Sequence, residues 1–170
     1  MVLSTITETT QYLTFKLEDE IFSLEISKVR EVLDFTKVTK VPQTSDFMLG
    51  VINLRGSVVP VVDMRLKFGL SRAETSVNTC IIIVEIELDG ETTVLGALVD
   101  SVQEVMELDP GQIEPPPRLG TRLNTKFIKG MGKRDDEFII ILDIDKVFSA
   151  EEFAMAQQIG GEPWAAAENE

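Results

Sequence analysis

Histidine is absent from this chain of 170 residues, and cysteine, tryptophan and tyrosine each occur once. Without histidine, the commonest general base and the commonest metal ligand are missing, so catalysis would have to rest on carboxylates or lysine. The single cysteine, Cys80, cannot form a disulfide within the chain, which fits a reducing compartment. Because it has no second cysteine and no basic neighbour, we interpret Cys80 as a small apolar residue of a strand and not as a redox centre.

Basic residues are also scarce, since 16 lysines and arginines face 29 aspartates and glutamates, for a formal net charge of −13. This balance gives no electrostatic reason to expect binding to nucleic acid or to an anionic membrane surface. The apolar runs are only a few residues long, whereas a membrane-spanning helix needs roughly 20 residues. No signal peptide is predicted. We therefore expect protein partners, no nucleic acid and no direct insertion into a membrane.

Acidic residues cluster at 19–20, 135–137 and 151–152. None of these clusters has the alternating oxygen ligands and the glycine of a calcium loop, so we interpret them as solvated loops and expect no metal. An enzyme based on carboxylates would need a pocket that drives the pKa values of two of them apart. That alternative is weakened by the absence of histidine.

A repeated pattern shows how the chain is organised. Residues 22–35 (FSLEISKVREVLDF) resemble residues 95–108 (LGALVDSVQEVMEL), and residues 58–68 (VVPVVDMRLKF) resemble residues 138–148 (FIIILDIDKVF) in the same order. The matched pairs include Val29 with Val102, Glu31 with Glu104 and Val32 with Val105. Two copies of one unit in a single chain predict two similar subdomains. The surface where such units meet is a natural place for a partner to bind.

Composition divides the chain into a domain and two tails. Residues 1–10 are polar and lack periodicity, so a flexible N-terminal tail is expected there. Residues 11–153 are expected to form one domain of two intertwined subdomains, with repeat halves at about 12–68 and 79–148. Residues 154–170 are expected to hold the end of a C-terminal helix and an acidic disordered tail.

Alternation of apolar and polar residues predicts short strands. Tyr12–Leu17 alternates with a period of two, and a second strand over Ile21–Ile26 follows a polar turn. Arg55-Gly56 and Asp89-Gly90 are the turn residues of two predicted hairpins, and Gly56 supplies the backbone freedom that its turn needs. Pro60 cannot donate a hydrogen bond to a neighbouring strand, so its strand is expected at a sheet edge or with a bulge.

A short helix is predicted after the second strand. Ser27 is suited to cap it, and Val29, Val32 and Leu33 would then fall on one helix face. The spacing does not decide which of Val29 and Val32 points inward. The second copy of the pattern predicts a similar helix that begins at Asp100.

The C-terminal part of the domain predicts a loop and a longer helix. Proline and glycine in Asp109–Asn124 favour an irregular loop or extended arm. An amphipathic helix is predicted from Asp145 to about Ile159, ended by Gly160-Gly161, and its Phe153 is expected to pack on the domain. Many short strands, few helices and frequent turn residues together predict an all-β architecture of small barrels.

Four segments of the chain together resemble a known family. They are KVREVL (28–33), GVINLRGSVVPVVDMRLKF (50–68), LGALVDSVQEVMEL (95–108) and FIKGMGKRDDEFIIILDIDKVF (127–148). Over most of its length the chain is similar to the CheW family of bacterial chemotaxis adaptors. The resemblance implies a mainly β fold with two SH3-like five-stranded barrels, short helices and a C-terminal helix. It also implies that the protein is not an enzyme and has no cofactor.

The resemblance further implies partners and a site. The partners would be the cytoplasmic tips of chemoreceptors and the regulatory domain of the histidine kinase CheA. A cytoplasmic protein would then be recruited to membrane receptor arrays through its partners, with a receptor helix lying in the groove between the barrels. The implied receptor or kinase interface comprises Val29, Glu31, Gly50, Arg55, Cys80 and Val105, with Gly56 as a structural turn.

The same residues also have simpler interpretations. Taken alone, Glu31 is most simply a solvated surface carboxylate, and Val29 a core residue. Arg55 suits either solubility or an interface, because its planar guanidinium makes bidentate bonds. Gly50 is most simply a backbone requirement that could also let a partner approach closely.

Two alternatives for function besides an enzyme stay open. A related chemosensory pathway that controls pili or gene regulation could use the same kind of adaptor. A barrel that senses a small ligand would need a cavity lined by apolar and aromatic residues. The single tyrosine and the position of Trp164 in the tail argue against such a cavity.

Overall fold

The structure is a computed structural model that describes residues 9–41, 46–71, 74–115 and 127–159. Predictions about the acidic C-terminal tail, the Gly160-Gly161 helix end and most of the N-terminal tail lie outside the described residues. Thr10, placed in that tail by the sequence, already belongs to the first strand.

Eleven strands form two curled sheets within the described residues. The strands are β1 (Thr10–Leu17), β2 (Glu20–Glu25), β3 (Val29–Asp34), β4 (Met48–Leu54), β5 (Ser57–Asp63), β6 (Cys80–Leu88), β7 (Glu91–Val99), β8 (Ser101–Leu108), β9 (Ile113–Glu114), β10 (Ile128–Arg134) and β11 (Glu137–Leu142). The helices are α1 (Met64–Lys67), α2 (Ile144–Val147) and α3 (Ala150–Ile159), and 3-10 turns cover Ile26–Lys28 and Pro110–Gln112. This architecture confirms the mainly β prediction.

The two sheets exchange strands between the repeat halves. The six-stranded sheet has the order β8-β1-β2-β11-β10-β9 and is called barrel A, and the five-stranded sheet has the order β3-β6-β7-β5-β4 and is called barrel B. Exchanging β1 with β6, β2 with β7, β3 with β8, β4 with β10 and β5 with β11 converts the order of barrel B into that of barrel A without β9. Each barrel therefore combines a hairpin from one half with three equivalent strands from the other. The halves pair in parallel at β2–β11 and β5–β7, and antiparallel at β1–β8 and β3–β6.

The predicted hairpins are confirmed. Arg55 and Gly56 join β4 to β5 with φ of 51° and 92°, and Asp89 and Gly90 join β6 to β7 with φ of 53° and 83°. Positive φ at both central residues suits the right-handed twist of the flanking strands. The Gly56 N–H also donates a hydrogen bond of 2.8 Å to Asn53 Oδ1. Gly56 is therefore a turn residue, as its sequence position predicts.

Pro60 does not lie on an edge strand, because β5 lies between β7 and β4. The predicted alternative, a bulge, fits better, since the β4–β5 register shifts between Met48 and Gly50, next to the Val51–Pro60 pair. Pro60 is opposite Val51, whose backbone N–H and C=O both bond to Thr39 instead, at 2.8 and 2.9 Å. On the other side of β5, pairing with β7 begins only at Val61. The missing N–H of proline therefore interrupts no pairing in the described sheet.

The two predicted short helices are also wrong. Ser27 lies in a 3-10 turn without a side-chain cap, and the residues after it form strand β3. The matching segment after Asp100 forms strand β8. Val29 and Leu33 pack inward, whereas Val32 is 40% exposed on the opposite face. Pairing with β6 and β1 overrides a local pattern that suits both helix and strand, since β-branched residues favour paired strands.

The long helix predicted from Asp145 to Ile159 is instead divided into α2 and α3. Ser149 starts the second helix by a reciprocal capping box, in which its N–H donates to Glu152 Oε1 at 2.9 Å and its Oγ accepts from the Glu152 N–H at 3.1 Å. These bonds satisfy N–H groups that a helix start leaves without partners. The segment predicted as a loop from Asp109 contains the short strand β9, and its residues from 116 onward lie outside the described part.

A shared apolar core holds the barrels together. Phe15 and Phe22 enter it from barrel A, Ile82 from barrel B and Phe153 from α3, which confirms that Phe153 packs on the domain. A fully buried side chain of this size contributes about 1.5–3 kcal/mol through the hydrophobic effect. Because its members come from both sheets, the core fixes how the barrels lie against each other.

Candidate functional site

An ion pair crosses the open side of barrel B. The two outer strands of this sheet are β3 and β4, which do not pair with each other in the described structure. Glu31 lies on β3, and Arg55 lies at the tip of the hairpin that follows β4. The guanidinium donates to both carboxylate oxygens, with 3.4 Å between Nη1 and Oε1 and a closer contact between Nη2 and Oε2. The hydrogen bond with Glu31 raises the pKa of Arg55, which keeps the guanidinium charged.

A cavity of about 820 Å³ opens beside this pair. Its walls carry a second ion pair, in which Arg30 Nη2 lies 2.8 Å from Glu85 Oε2, and hydroxyl groups from Ser57, Thr92 and Thr93. The charged groups that face this opening thus have partners of opposite sign. The arrangement resembles a polar surface more than a pocket for an apolar ligand.

The other residues implied by the resemblance are spread over both barrels. Val29 is half-buried against the shared core beneath the ion pair. Cys80 begins β6 opposite Asp34, and its thiol donates to the Asn78 carbonyl at 3.3 Å. Burial raises the pKa of this thiol, which disfavours the reactive thiolate. Val105 is 48% exposed but belongs to β8 of barrel A.

Contacts within the protein itself explain why residue 50 is a glycine. Its φ is 152°, and a Cβ built on it would lie 2.1 Å from the carbonyl oxygen of Thr39. The close approach lets Thr39 pair with Val51 and line the outer edge of β4. Gly50 therefore positions the segment that follows β3, whatever a partner does at this surface.

Sequence reasoning missed a second ion pair, between Arg134 and Glu104 in barrel A. We call this contact and the Glu31–Arg55 contact the two seam pairs, and the place of each in its barrel the seam. Glu104 lies on β8 at the position that the repeat matches to Glu31, and Arg134 lies beside the β10–β11 turn. The repeat also matches Val32 with Val105, and both valines are exposed. The signal was thus present in the repeat. The predicted interface included Glu31 and Val105, but not the residues that the repeat matches with them, Glu104 and Val32.

Among the described residues, every buried side-chain nitrogen or oxygen has a hydrogen-bond partner. A search of the same residues finds no group of three or more side chains able to hold a metal ion. None of the helices described is long and apolar enough to cross a membrane. The surface does bring together two ion pairs, Glu31 with Arg55 and Glu104 with Arg134, and arginine is a residue that protein interfaces favour.

This double barrel is thus of the class that binds other proteins, and comparison with known proteins gives its family. The CheW-like domain model matches residues 11–152, and the chain therefore belongs to the CheW family. The chemotaxis protein CheW of Klebsiella aerogenes is 35% identical over 149 residues, covering 88% of this chain and 87% of the relative. That of Rhizobium meliloti is 32% identical over 142 residues, covering 84% and 89%.

A solved structure agrees. The scaffolding protein TtCheW from Thermoanaerobacter tengcongensis superposes with a TM-score of 0.74 at 38% identity, covering 84% of this chain and 94% of that one. The fold and family predicted from the sequence are confirmed. The chain is accordingly a chemotaxis scaffold, or adaptor.

Proposed function

We propose that this scaffold holds the cytoplasmic tips of chemoreceptors and the regulatory domain of the histidine kinase CheA in one complex and thereby controls kinase activity. It catalyses no reaction itself and needs no cofactor. It is cytoplasmic and reaches membrane receptor arrays through its partners. The observation that carries the proposal is the Glu31–Arg55 pair, an exposed bidentate pair across the seam of a barrel in a family of scaffolds.

The six proposed interface residues have different roles in this proposal. Glu31, Arg55 and Val105 are accessible enough to touch a partner directly. Gly50 is buried and Val29 and Cys80 are half-buried, and in this proposal they hold β3, β4 and β6 in the arrangement that a partner meets. Substituting the first group should therefore change binding without changing stability, and substituting the second group should change both.

The test combines binding with kinase control. Glu31→Lys is expected to weaken binding of a receptor-tip fragment and to lower receptor-dependent kinase activity, with a thermal melt close to that of the unaltered protein. Glu85→Lys is the matched control, because it breaks the neighbouring exposed pair with Arg30 by the same charge change. Normal coupling by a folded Glu31→Lys protein, or equal loss in both variants, would remove Glu31 from the interface.

A further inference from the structure

Most cations of the described residues are already paired. Of the twelve lysines and arginines in this part of the chain, nine lie in ion pairs with carboxylates. The three that form no ion pair are Lys16, Lys37 and Lys40. In a chain of net charge −13, cations without a carboxylate partner are unusual. Two of the three lie in one place.

Lys37 and Lys40 line an apolar pocket of about 400 Å³ on barrel B. Phe35, Val38 and Leu49 supply its apolar surface, and Phe35 is 38% exposed. The pocket lies where the chain leaves β3 and returns along the edge of β4. It is distinct from the polar cavity beside the Glu31–Arg55 pair, since the two share none of their lining residues.

The backbone that carries the two lysines is held in place. Thr39, between them, exchanges two hydrogen bonds with Val51, at 2.9 and 2.8 Å. The missing side chain of Gly50 makes this approach possible. Val38 and Leu49 pack against the interior of barrel B. A charged ligand would therefore meet lysines whose backbone is already ordered, which lowers the entropy cost of binding.

We infer that this pocket docks an acidic segment of a partner protein. An aliphatic or aromatic side chain of the partner would contact Phe35, Val38 and Leu49, and its carboxylates would pair with Lys37 and Lys40. The inference rests on the proposed function, because the partner is one of the two proteins that the scaffold holds. Charge complementarity favours this occupant, since Lys37 and Lys40 have no carboxylate partner among the described residues and lie beside the apolar surface of the pocket.

The experiment measures the affinity of a receptor-tip fragment and of the kinase regulatory domain separately, at low and high salt. The variants are Lys37→Glu, Lys40→Glu and Phe35→Ser. Lys16→Glu is the matched control, because it makes the same charge change at the remaining lysine without an ion pair. We expect both pocket reversals to weaken binding of one partner by roughly 10- to 100-fold and to reduce its salt dependence, while Lys16→Glu binds normally.

Other outcomes overturn the inference in distinguishable ways. If the unaltered chain binds both partners and the pocket variants bind as well, the pocket is not a docking site and the proposed function stands. If the unaltered chain binds neither, both proposals fail. Equal weakening by Lys16→Glu would show an effect of net charge alone. A change in the oligomeric state of the free chain on Lys37→Glu would identify a second copy as the occupant instead.

Discussion

Barrel A and barrel B each carry an ion pair between a glutamate and an arginine at corresponding places, and only the pair of barrel B is bidentate. Glu31 and Arg55 form the pair in barrel B, and Glu104 and Arg134 form it in barrel A. The glutamates are matched by the repeat, whereas the arginines lie one position apart relative to their hairpins. The similarity is therefore in the contact made and not in the residue order. The surroundings differ, because β4 is an outer strand of barrel B, whereas β10, which carries Arg134, pairs with both β11 and β9 in barrel A.

The crossovers between the barrels differ more. After β7, Asp100 binds Arg65 of α1, with 2.6 Å between Oδ2 and Nη2. After β2, Lys28 binds Asp145 of α2, with 2.7 Å between Nζ and Oδ2. The repeat matches Arg65 with Asp145, so the helix carries a cation in one crossover and an anion in the other. Coulomb attraction depends on the product of the charges, so the sign at the helix position can change when the partner's sign changes too. The partner itself is shifted by one residue, since the repeat matches Asp100 with Ser27 and Lys28 with Ser101.

Glycines at equivalent positions also differ. Gly50 and Gly130 each allow a segment to pair with the outer edge of its strand. A Cβ on Gly50 would meet backbone at 2.1 Å at a positive φ, whereas a Cβ on Gly130 would meet a side-chain methyl of Ile113 at 2.8 Å and the Glu114 carbonyl oxygen at 3.0 Å. A methyl group can move aside, but a paired backbone cannot.

The largest loss of stability is accordingly expected for Gly50→Ala. Its combined strain and backbone clash should cost about 3 kcal/mol or more, whereas Gly130→Ala should cost about 1–2 kcal/mol. Urea unfolding of the two variants measures the difference. Equal losses of stability would show that the backbone around Thr39 moves aside as easily as Ile113 does. That result would contradict the claim that the segment carrying Lys37 and Lys40 is rigid.

The next largest effect is expected at the crossovers. Arg65 is 18% exposed and binds Asp100, Glu18 and the Ser71 carbonyl, so Arg65→Met should cost about 2–3 kcal/mol by leaving Asp100 without its cation. Lys28→Met removes only the ion pair with Asp145, and Lys28 is more exposed than Arg65. The loss of unfolding free energy should therefore be about 1 kcal/mol. Lys146→Met is the control, because its contact with Asp143 is long and solvated. If both crossover variants unfold alike, the extra bonds of Arg65 add nothing.

The Arg65 crossover also makes stability depend on pH. Desolvation acts to raise the pKa of Asp100, but hydrogen bonds from Arg65 and from the Glu18 N–H prevail and hold it below the usual 3.8. A depressed folded pKa adds stability that is present above about pH 4 and is lost as pH falls through the folded value. The stability gap between the unaltered protein and Arg65→Met should therefore narrow in acid. A gap that stays constant down to pH ~2 would contradict the assigned cause.

Sequence reasoning succeeded where the signal was local or repeated. Turn pairs such as Arg55-Gly56 determine their own backbone conformation, and the family resemblance covered most of the chain. The helix predicted from Ser27 failed because its apolar spacing also suits a strand, and only pairing with β6 decides between them. The capping box of Ser149 was readable in the sequence and was missed.

The sequence could not predict which residues form the seam pairs. The match of Glu31 with Glu104 was visible, but the partners Arg55 and Arg134 follow from how each sheet curls. The exchange of hairpins between the halves was equally hidden, because a repeat states what is similar and not which copy pairs with which. Lys37 and Lys40 drew no attention, since lacking a partner is a property of the folded surface.

The seam pairs should have the smallest effect on stability and the clearest effect on function. Both are exposed, so breaking either should change stability by less than about 1 kcal/mol. The informative variants are charge swaps that preserve the pair, Glu31→Arg with Arg55→Glu in barrel B and Glu104→Arg with Arg134→Glu in barrel A. Each reverses the charges that a partner would meet while keeping the bridge across the barrel.

We expect the barrel B swap to lose receptor-dependent kinase activation with an unchanged melt, because a partner that reads the charges directly meets the wrong sign. The barrel A swap is the comparison, since it makes the same exchange at the corresponding pair. It lies away from Glu31 but next to Val105, so it also tests whether the charges beside Val105 matter. If the barrel B swap restores the coupling that Glu31→Lys loses, the pair acts only by closing the barrel. If only the barrel A swap loses receptor-dependent kinase activation, the partner reads the charges of Glu104 and Arg134 and not those of Glu31 and Arg55, which contradicts the proposal.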